Sequence, residues 1–350
     1  MVIAYPHPPL MLLCFIDKHG TPCQAAQIDG NRILLTLEGR NSAGLQGEWL
    51  VCKRPLETPV LTRYDRASTL KTFSTCLNWP PNPKIKSTMP TIHEITELLK
   101  KFAPLELAAE WDNVGLLVGQ RNRAANRIMT CLTVTPHSTQ EAIAEQADLI
   151  ITHHPLPFRP ITRLTDETPD GRLLLRLIEA KVAIYSPHTA FDSARSGINQ
   201  NLAEGLGLTG IQPLTTHEID AGSGDGRYGG VSGPIELVEL AKRVKTFLAL
   251  PQVRVVGELS QPVTRIGISC GSGGSLLATA RKQDCDGFVT GETNFHTCLE
   301  AMATGVGCVI TGHFASERFG VEQLANHLAA ELPGTKVWAS HQEADPICTV

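Results

Sequence analysis

From Pro90 onward the apolar residues recur with two alternating periods. Ile92, Ile95, Leu98, Leu99 and Phe102 in IHEITELLKKF fall at helical spacing behind Pro90-Thr91, which predicts a capped amphipathic helix. Short apolar runs and helical patterns then alternate to the end of the chain. They predict strands near 127–134, 148–152, 182–186, 253–258, 264–270, 286–290, 306–311 and 336–340. Helices are predicted near 138–146, 171–180, 198–206, 234–248, 274–283, 294–304 and 315–331. Such alternation is the pattern of an α/β protein.

The order β-α-β-α-β occurs twice, from about 127 to 187 and from about 264 to 312, so two pseudo-repeated lobes are expected. The third strand of the first half, VAIYSP, runs into His188-Thr-Ala-Phe-Asp192. Its counterpart CVITG runs into His313-Phe-Ala-Ser-Glu317, and both pairs are 125 positions apart. The second strands also correspond, because DLIIT ends in His153-His154 and GFVTG ends in Glu292. An extra loop around LPFRPITRLTDET in the first half absorbs the difference in offset.

Before residue 89 no period is sustained, although β-like pieces such as NRILLTLEG occur. NWPPNPKIKSTMP has the composition of a linker, since closely spaced prolines remove backbone donors and extend the chain. Charge divides at the same place. Residues 1–88 hold 10 Lys and Arg against 6 Asp and Glu, and the rest hold 21 against 29. The chain is therefore divided into a poorly ordered N-terminal extension (1–88), a first lobe (89–225) and a second lobe (226–350). Met89 is read as the natural start, with a small targeting or partner-binding module as the alternative reading of 1–88. The apolar opening MVIAYPHPPLMLLCFI is broken by prolines and lacks a basic start, so an export signal is not expected.

With 42% hydrophobic and 19% charged residues in 350, the chain can bury a core, which excludes a disordered protein. A net charge of −4 argues against nucleic acid as the main partner. No apolar run reaches the ~18 residues that span a bilayer. The ten cysteines form no C-x-x-C pair and several lie in apolar runs, as Cys131 and Cys308 do, so a reducing, cytoplasmic setting is expected.

In open α/β sheets the loops at the carboxyl ends of strands converge on one crevice, and each repeated polar residue stands at such an end. His153 and His154 would point to opposite faces on a strand, but a strand-to-loop turn can aim both into the crevice. His313 and Glu317, four apart, share a helix face and can reach one cation. Taken singly, such residues are more often exposed helix contacts or satisfied core groups. The tandem histidines and the twin pattern at 188–192 shift that balance towards metal. His153, His154, His313, Asp192 and Glu317 exceed one open tetrahedral zinc site and suit two ions ~3.5–4 Å apart with a carboxylate between them. No cysteine is close in sequence to them, so a mixed N/O shell of Zn, Mn, Fe or Co is expected.

Other motifs carry less. His93-Glu94 is not an H-E-x-x-H helix, because position 97 is Glu. GSGDGRYGG (222–230) lacks the P-loop spacing, and GSGGS (271–275) is read as a tight strand-to-helix turn before an anion cradle. No G-x-S-x-G elbow supports a serine hydrolase.

EWDNVGLLVG (110–119), ITHHP (151–155), SPHTAFD (186–192), GDGRYGG (224–230), TGETNFH (290–296), ITGHFASE (310–317) and ADP (344–346) occur in an order that resembles the Nif-three-like dinuclear-metal proteins, also called type-two GTP cyclohydrolase I homologues. The resemblance runs from about Met89 to Val350. It implies two α/β lobes with mixed sheets flanked by helices and a metal site in the cleft between them. It further implies toroidal homohexamers whose metal sites face an internal cavity. Two divalent ions per subunit would sit on His153, His154, Asp192, His313 and Glu317, the same five residues, with His188 and His296 beside them as candidate catalytic proton relays. Glu292 stands where the resemblance leads one to expect Asp. The interval 209–263 leaves no room for the domain that some members insert between the lobes. The expected function is metal-dependent hydrolysis of a small molecule, such as a purine nucleotide or cyclic amide. A non-enzymatic metal-binding scaffold or chaperone that engages protein partners is the alternative.

Overall fold

The computed structural model describes residues 89–348, and before them only short antiparallel strand segments within residues 3–23 and 26–63. One of these, Arg32–Leu35, falls in NRILLTLEG. The expectation of a poorly ordered extension otherwise lies outside the described residues.

Helix α1 (Ile92–Phe102) begins where expected because Thr91 and Glu94 cap each other. The Glu94 N–H donates to Thr91 Oγ1 at 3.2 Å and the Thr91 N–H donates to the Glu94 carboxylate at 2.8 Å. Ile92, Ile95 and Leu99 form its buried face.

Beyond α1, one five-stranded sheet contains β1 (Gly115–Val118), β2 (Arg127–Cys131), β3 (Leu149–Thr152), β4 (Ala183–Ser186) and, from the far end of the chain, β11 (Lys336–Ala339). The order is β11-β2-β3-β4-β1, parallel except for β1. Helices α2 (Pro136–Ala144) and α3 (Pro169–Glu179) make the crossovers. Strands β3 and β4 are buried at every position, which is why they read as unbroken apolar runs. Leu173, Leu174 and Leu177 of α3 pack with Met129, Ile150 and Ile184 on one face. Ile128, Leu149 and Tyr185 join the larger core on the other.

The second sheet, in the order β5-β6-β8-β9-β10-β7, repeats the plan. Its parallel centre is β8 (Pro262–Ser269), β9 (Gly287–Thr290) and β10 (Gly307–Ile310), joined by α7 (Leu277–Lys282) and α8 (Phe295–Ala303). β5 (Thr209–Gln212), β6 (Arg227–Glu236) and β7 (Arg254–Val256) pair antiparallel at its flanks. Each parallel triplet ends in a helix that opens on histidine, α4 (His188–Ser193) in the first and α9 (His313–Glu331) in the second. The two mixed sheets flanked by helices form the expected α/β architecture.

The structure departs from the sequence pattern in several places, and β1 and β5 have no counterpart among the predicted strands. The ten-residue β6 has no counterpart among the predicted strands, and the helix expected from about 234 starts at Leu237 as α6 (Leu237–Phe247). Only Arg227, Tyr228 and Gly229 of β6 are buried, and its register breaks between Gly230 and Ile235, so no period of two is sustained. Strand membership also crosses the boundary at 225/226, since β5 joins the second sheet and β11 the first. Finally, α9 and α5 (Ile198–Gly205) approach closely, and a Cβ on Gly320 would meet Ile198 Cγ1 at 2.6 Å.

Glu141 of α2 ties β11 in place. Its carboxylate accepts hydrogen bonds from Trp338 Nε1 (3.1 Å), Ser340 Oγ (2.6 Å) and the backbone N–H groups of His341 and Gln342 (both 3.0 Å). Burial pushes its pKa up, but these donors outweigh burial and hold it below the usual value of 4.5. The stability it adds is therefore full above about pH 4.5 and is lost as pH falls through the lower folded pKa. Glu141→Gln, which turns an amide N–H towards other donors, is expected to cost about 1–3 kcal/mol at neutral pH. That deficit should shrink in strong acid, and melting curves that run parallel at every pH would refute it. No helix among the described residues is long and apolar enough to cross a membrane.

Candidate metal centre

The carboxyl ends of β3, β4 and β10 carry the groups singled out by spacing, and the structure brings five of them together. His153 and His154 leave β3, Asp192 lies on the last turn of α4, and His313 and Glu317 share the first turns of α9. Their ligand atoms fall into three groups, each within 4.8 Å: His153, Asp192 and Glu317; His154, His313 and Glu317; and His153, His154 and His188. His188 thus joins the cluster. His296 does not: it stands exposed at the start of α8, its ring centroid 5.9 Å from that of Phe295.

Glu317 is the centre of the cluster and only 4% exposed. One oxygen is 3.2 Å from His154 Nε2 and 3.1 Å from His313 Nε2, and the other is 3.7 Å from His153 Nε2. The two histidine nitrogens face each other at 3.2 Å. Asp192 Oδ1, both His153 ring nitrogens and Glu317 Oε2 nevertheless lack a hydrogen-bond partner. Buried polar atoms that converge closely without directional bonds suit a shared cation, because a cation accepts lone pairs from several nitrogens and oxygens at once. A Cβ on Gly271 (φ +59°) would collide with Glu317 Oε1, so glycine there keeps the space around that carboxylate clear.

Electrostatics point the same way. Burial pulls His153 down to about 4, so it is a neutral imidazole near pH 7, the form that binds metal. Burial pushes Glu317 up, but His153, His154 and His313 outweigh it and hold the carboxylate well below its usual pKa. His313 is the exception: the adjoining Glu317 carboxylate raises it to about 9, so a metal bound there must displace its proton. Burial and then the neighbouring Glu317 push Asp192 well above its usual pKa, so the protein supplies this carboxylate with no adequate counter-charge.

A ring of outer partners sets the imidazole orientations. Thr133 Oγ1 holds His154 Nδ1 at 2.7 Å, Glu292 holds His313 Nδ1 at 3.3 Å, and Asp112 holds His188 Nδ1 at 2.8 Å. In each ring Nε2 is left for the cluster. Glu292, the departure noted above, thus reaches His313 and also accepts from Ser272 Oγ at 3.1 Å. Thr133 is positioned in turn by Glu343, which accepts the N–H groups of Leu132 (2.8 Å) and Thr133 (2.6 Å). Asn199 bridges the two halves, donating to the Asp192 carbonyl at 3.2 Å and accepting the Cys270 N–H at 2.8 Å. Asp112, Thr133, Asn199 and Glu343 received no role from sequence reasoning. Asp112 had a signal, its place in the motif EWDNVGLLVG, whereas the others carried none.

His154, His188, Asp192, Asn199, His313 and Glu317 line a cleft of about 480 Å³. An α/β protein that gathers histidines and carboxylates able to bind metal between two mixed sheets is the class that fold and site define. The profile of the Duf34/NIF3 (NGG1p interacting factor 3) family matches residues 90–346, and the chain belongs to this family. It is 32% identical over 226 residues to a GTP cyclohydrolase 1 type 2 homolog of Clostridium perfringens, covering 65% of this chain and 86% of the relative. NIF3-like protein 1 of Drosophila melanogaster is 32% identical over 265 residues, covering 73% and 88%. Among solved structures, a Staphylococcus aureus hypothetical protein superposes with a TM-score of 0.69 at 27% identity, over 75% of this chain and all of that one.

Proposed function

We propose that this chain is a metal-dependent hydrolase that holds two divalent ions, Zn, Mn, Fe or Co, on His153, His154, Asp192, His313 and Glu317. The observation that carries the reading is Glu317, a buried carboxylate common to two ligand groups, one with His153 and Asp192 and the other with His154 and His313. A pair of divalent cations held by these residues would supply polarisation of a substrate oxygen and activation of water near neutral pH. The chain's own contribution is proton handling by His188. Asp112 takes the His188 Nδ1–H, Thr189 donates to the same carboxylate through both its N–H (3.1 Å) and its Oγ1 (2.5 Å), and Nε2 is left to carry a proton in the cleft. Burial works against ionisation of Asp112, yet these bonds hold its pKa low, so it stays a carboxylate and fixes the tautomer. The names of the relatives support a purine nucleotide or related cyclic amide as substrate. Buried free thiols at Cys131, Cys270, Cys285 and Cys308 support a reducing, cytoplasmic setting.

Self-association into the expected homohexamer is part of the proposal, and it would also serve the scaffold reading. Helix α8 exposes Phe295, Leu299 and Met302, one stripe at helical spacing, which supports burial of this face against another copy. Met302→Glu is expected to shift sedimentation towards smaller species, and an unchanged coefficient would remove α8 from the interface.

Metal analysis after saturation tests the centre, with two ions per chain expected and fewer than one ending the reading. Fully loaded protein should hydrolyse GTP or a member of a panel of phosphoesters and cyclic amides. If none turned over, the scaffold would be the better account.

A further inference from the structure

We propose that Trp111 and Phe158 form an aromatic platform at the mouth of the cleft that takes the planar ring of a small molecule. The proposal rests on the reading of this cleft as a substrate site. Trp111 is 65% exposed and Phe158 44%, although large aromatic side chains have the most to gain from burial. Their ring centroids are 6.0 Å apart with planes tilted by 42°. Both lie over His188, at 6.0 and 6.1 Å, with rings nearly perpendicular to the imidazole. All three side chains line the same cleft.

The residues next to the two rings hold this geometry. Asp112, adjacent to Trp111, is bonded to His188 and to Thr189. Asn113 Nδ2 donates to the Pro157 carbonyl at 2.7 Å, which ties the loop carrying Trp111 to the loop carrying Phe158. Ala109, two residues before Trp111, donates its N–H to Thr189 Oγ1 at 3.0 Å. Two exposed aromatics on loops tied to each other and to the proposed proton carrier form a fixed platform, and a flat ring stacked there has its edge directed at His188 and the ligand cluster.

The charge of the cleft says what the side chains can hold. Asp192, Asp225 and Glu317 line it, and among the described lining residues there is no Lys or Arg. Ser269, Ser272 and Ser275 stand in the lining as small donors and acceptors for ring substituents. The chain therefore recognises the ring, whereas an anionic tail finds no cationic side chain.

The test uses the metal-loaded full chain, with guanosine as the ring probe and ribose as the ringless control, both measured by calorimetry. Guanosine should bind at least about tenfold more tightly than the control, and Trp111→Leu should weaken it by about tenfold or more, as loss of one stacking platform does. Trp111→Phe, which keeps a ring, should recover binding to within about threefold of the native protein, and Phe158→Leu should resemble Trp111→Leu. Metal content should be unchanged in all three variants. Equal guanosine affinity in Trp111→Leu, or no preference over ribose, overturns the platform. So does a change in sedimentation of Trp111→Leu, which would make these rings a contact between copies. Failure of the metal reading looks different, with metal per chain below one while ring preference and its loss in Trp111→Leu persist.

Discussion

Asp192→Ala is expected to lose metal from the centre without unfolding the chain. The Asp192 side chain keeps 25% of its surface exposed, and Oδ1 lies 3.7 Å from His153 Nε2 with no hydrogen-bond partner. Its removal therefore breaks no bond that the fold depends on and relieves the crowding with Glu317 that raises its pKa. What it removes is an anionic oxygen ligand, and loss of one ligand in a mixed N/O shell sharply weakens the site. Metal per saturated chain should fall from two to one or fewer, while the melting temperature of metal-free variant and metal-free native protein agree within a few degrees. Full stoichiometry in the variant would exclude Asp192 as a ligand. A collapse of the metal-free melting temperature would instead make it a structural residue.

Arg227→Met should have the largest effect on stability. Arg227 is fully buried, yet no carboxylate touches it. Its Nη1 donates to the carbonyls of Gly224 (2.7 Å) and Gly226 (2.6 Å), Nη2 to those of Ser193 (3.2 Å) and Ala194 (2.6 Å), and Nε to Gln200 Oε1 (2.9 Å). Burial pulls its pKa down to about 10, which still leaves it charged at neutral pH. Methionine fills the volume but removes all five donated hydrogen bonds, and of these acceptors the Ala194 carbonyl keeps the Gly197 N–H at 3.0 Å. Because such losses are not additive, the expected cost is about 3–5 kcal/mol. For a body of this size that is a fall of about 10 °C in melting temperature. Lysine should not rescue it, since one ammonium cannot reproduce the planar fork. The same fork grips the carbonyls directly after Asp192, so metal affinity should fall as well. A methionine variant that melts within about 2 °C of the native protein would refute this.

Much of the site was legible because its residues are local to the repeats. Strand, turn and helix start follow one another within a few positions, so the tandem after DLIIT and the His-x-x-x-carboxylate pairs could be placed at strand ends before any contact was known. The structure groups all five with His188. His296 followed from the family motif alone, and no spacing argument tied it to the cluster. It stands at the exposed start of α8. The outer partners were less visible. Glu343 reaches Leu132 and Thr133 across more than two hundred positions, and Asp112 reaches His188 across 76, pairings that no local period encodes.

The sequence by itself determined the alternation of strands and helices, the duplicated plan and the residue types at the strand ends. Each of these depends on which side chains lie within one turn or one pleat of each other. Only the tertiary structure decided that β11 completes the first sheet, that glycine-rich β6 is a strand, and that Glu317 lies among three imidazoles rather than on a solvated helix face. Those outcomes depend on burial and on hydrogen bonds made after the chain closes on itself. A side chain's partners, and so its charge and its chemistry, come from surfaces that local sequence does not bring together.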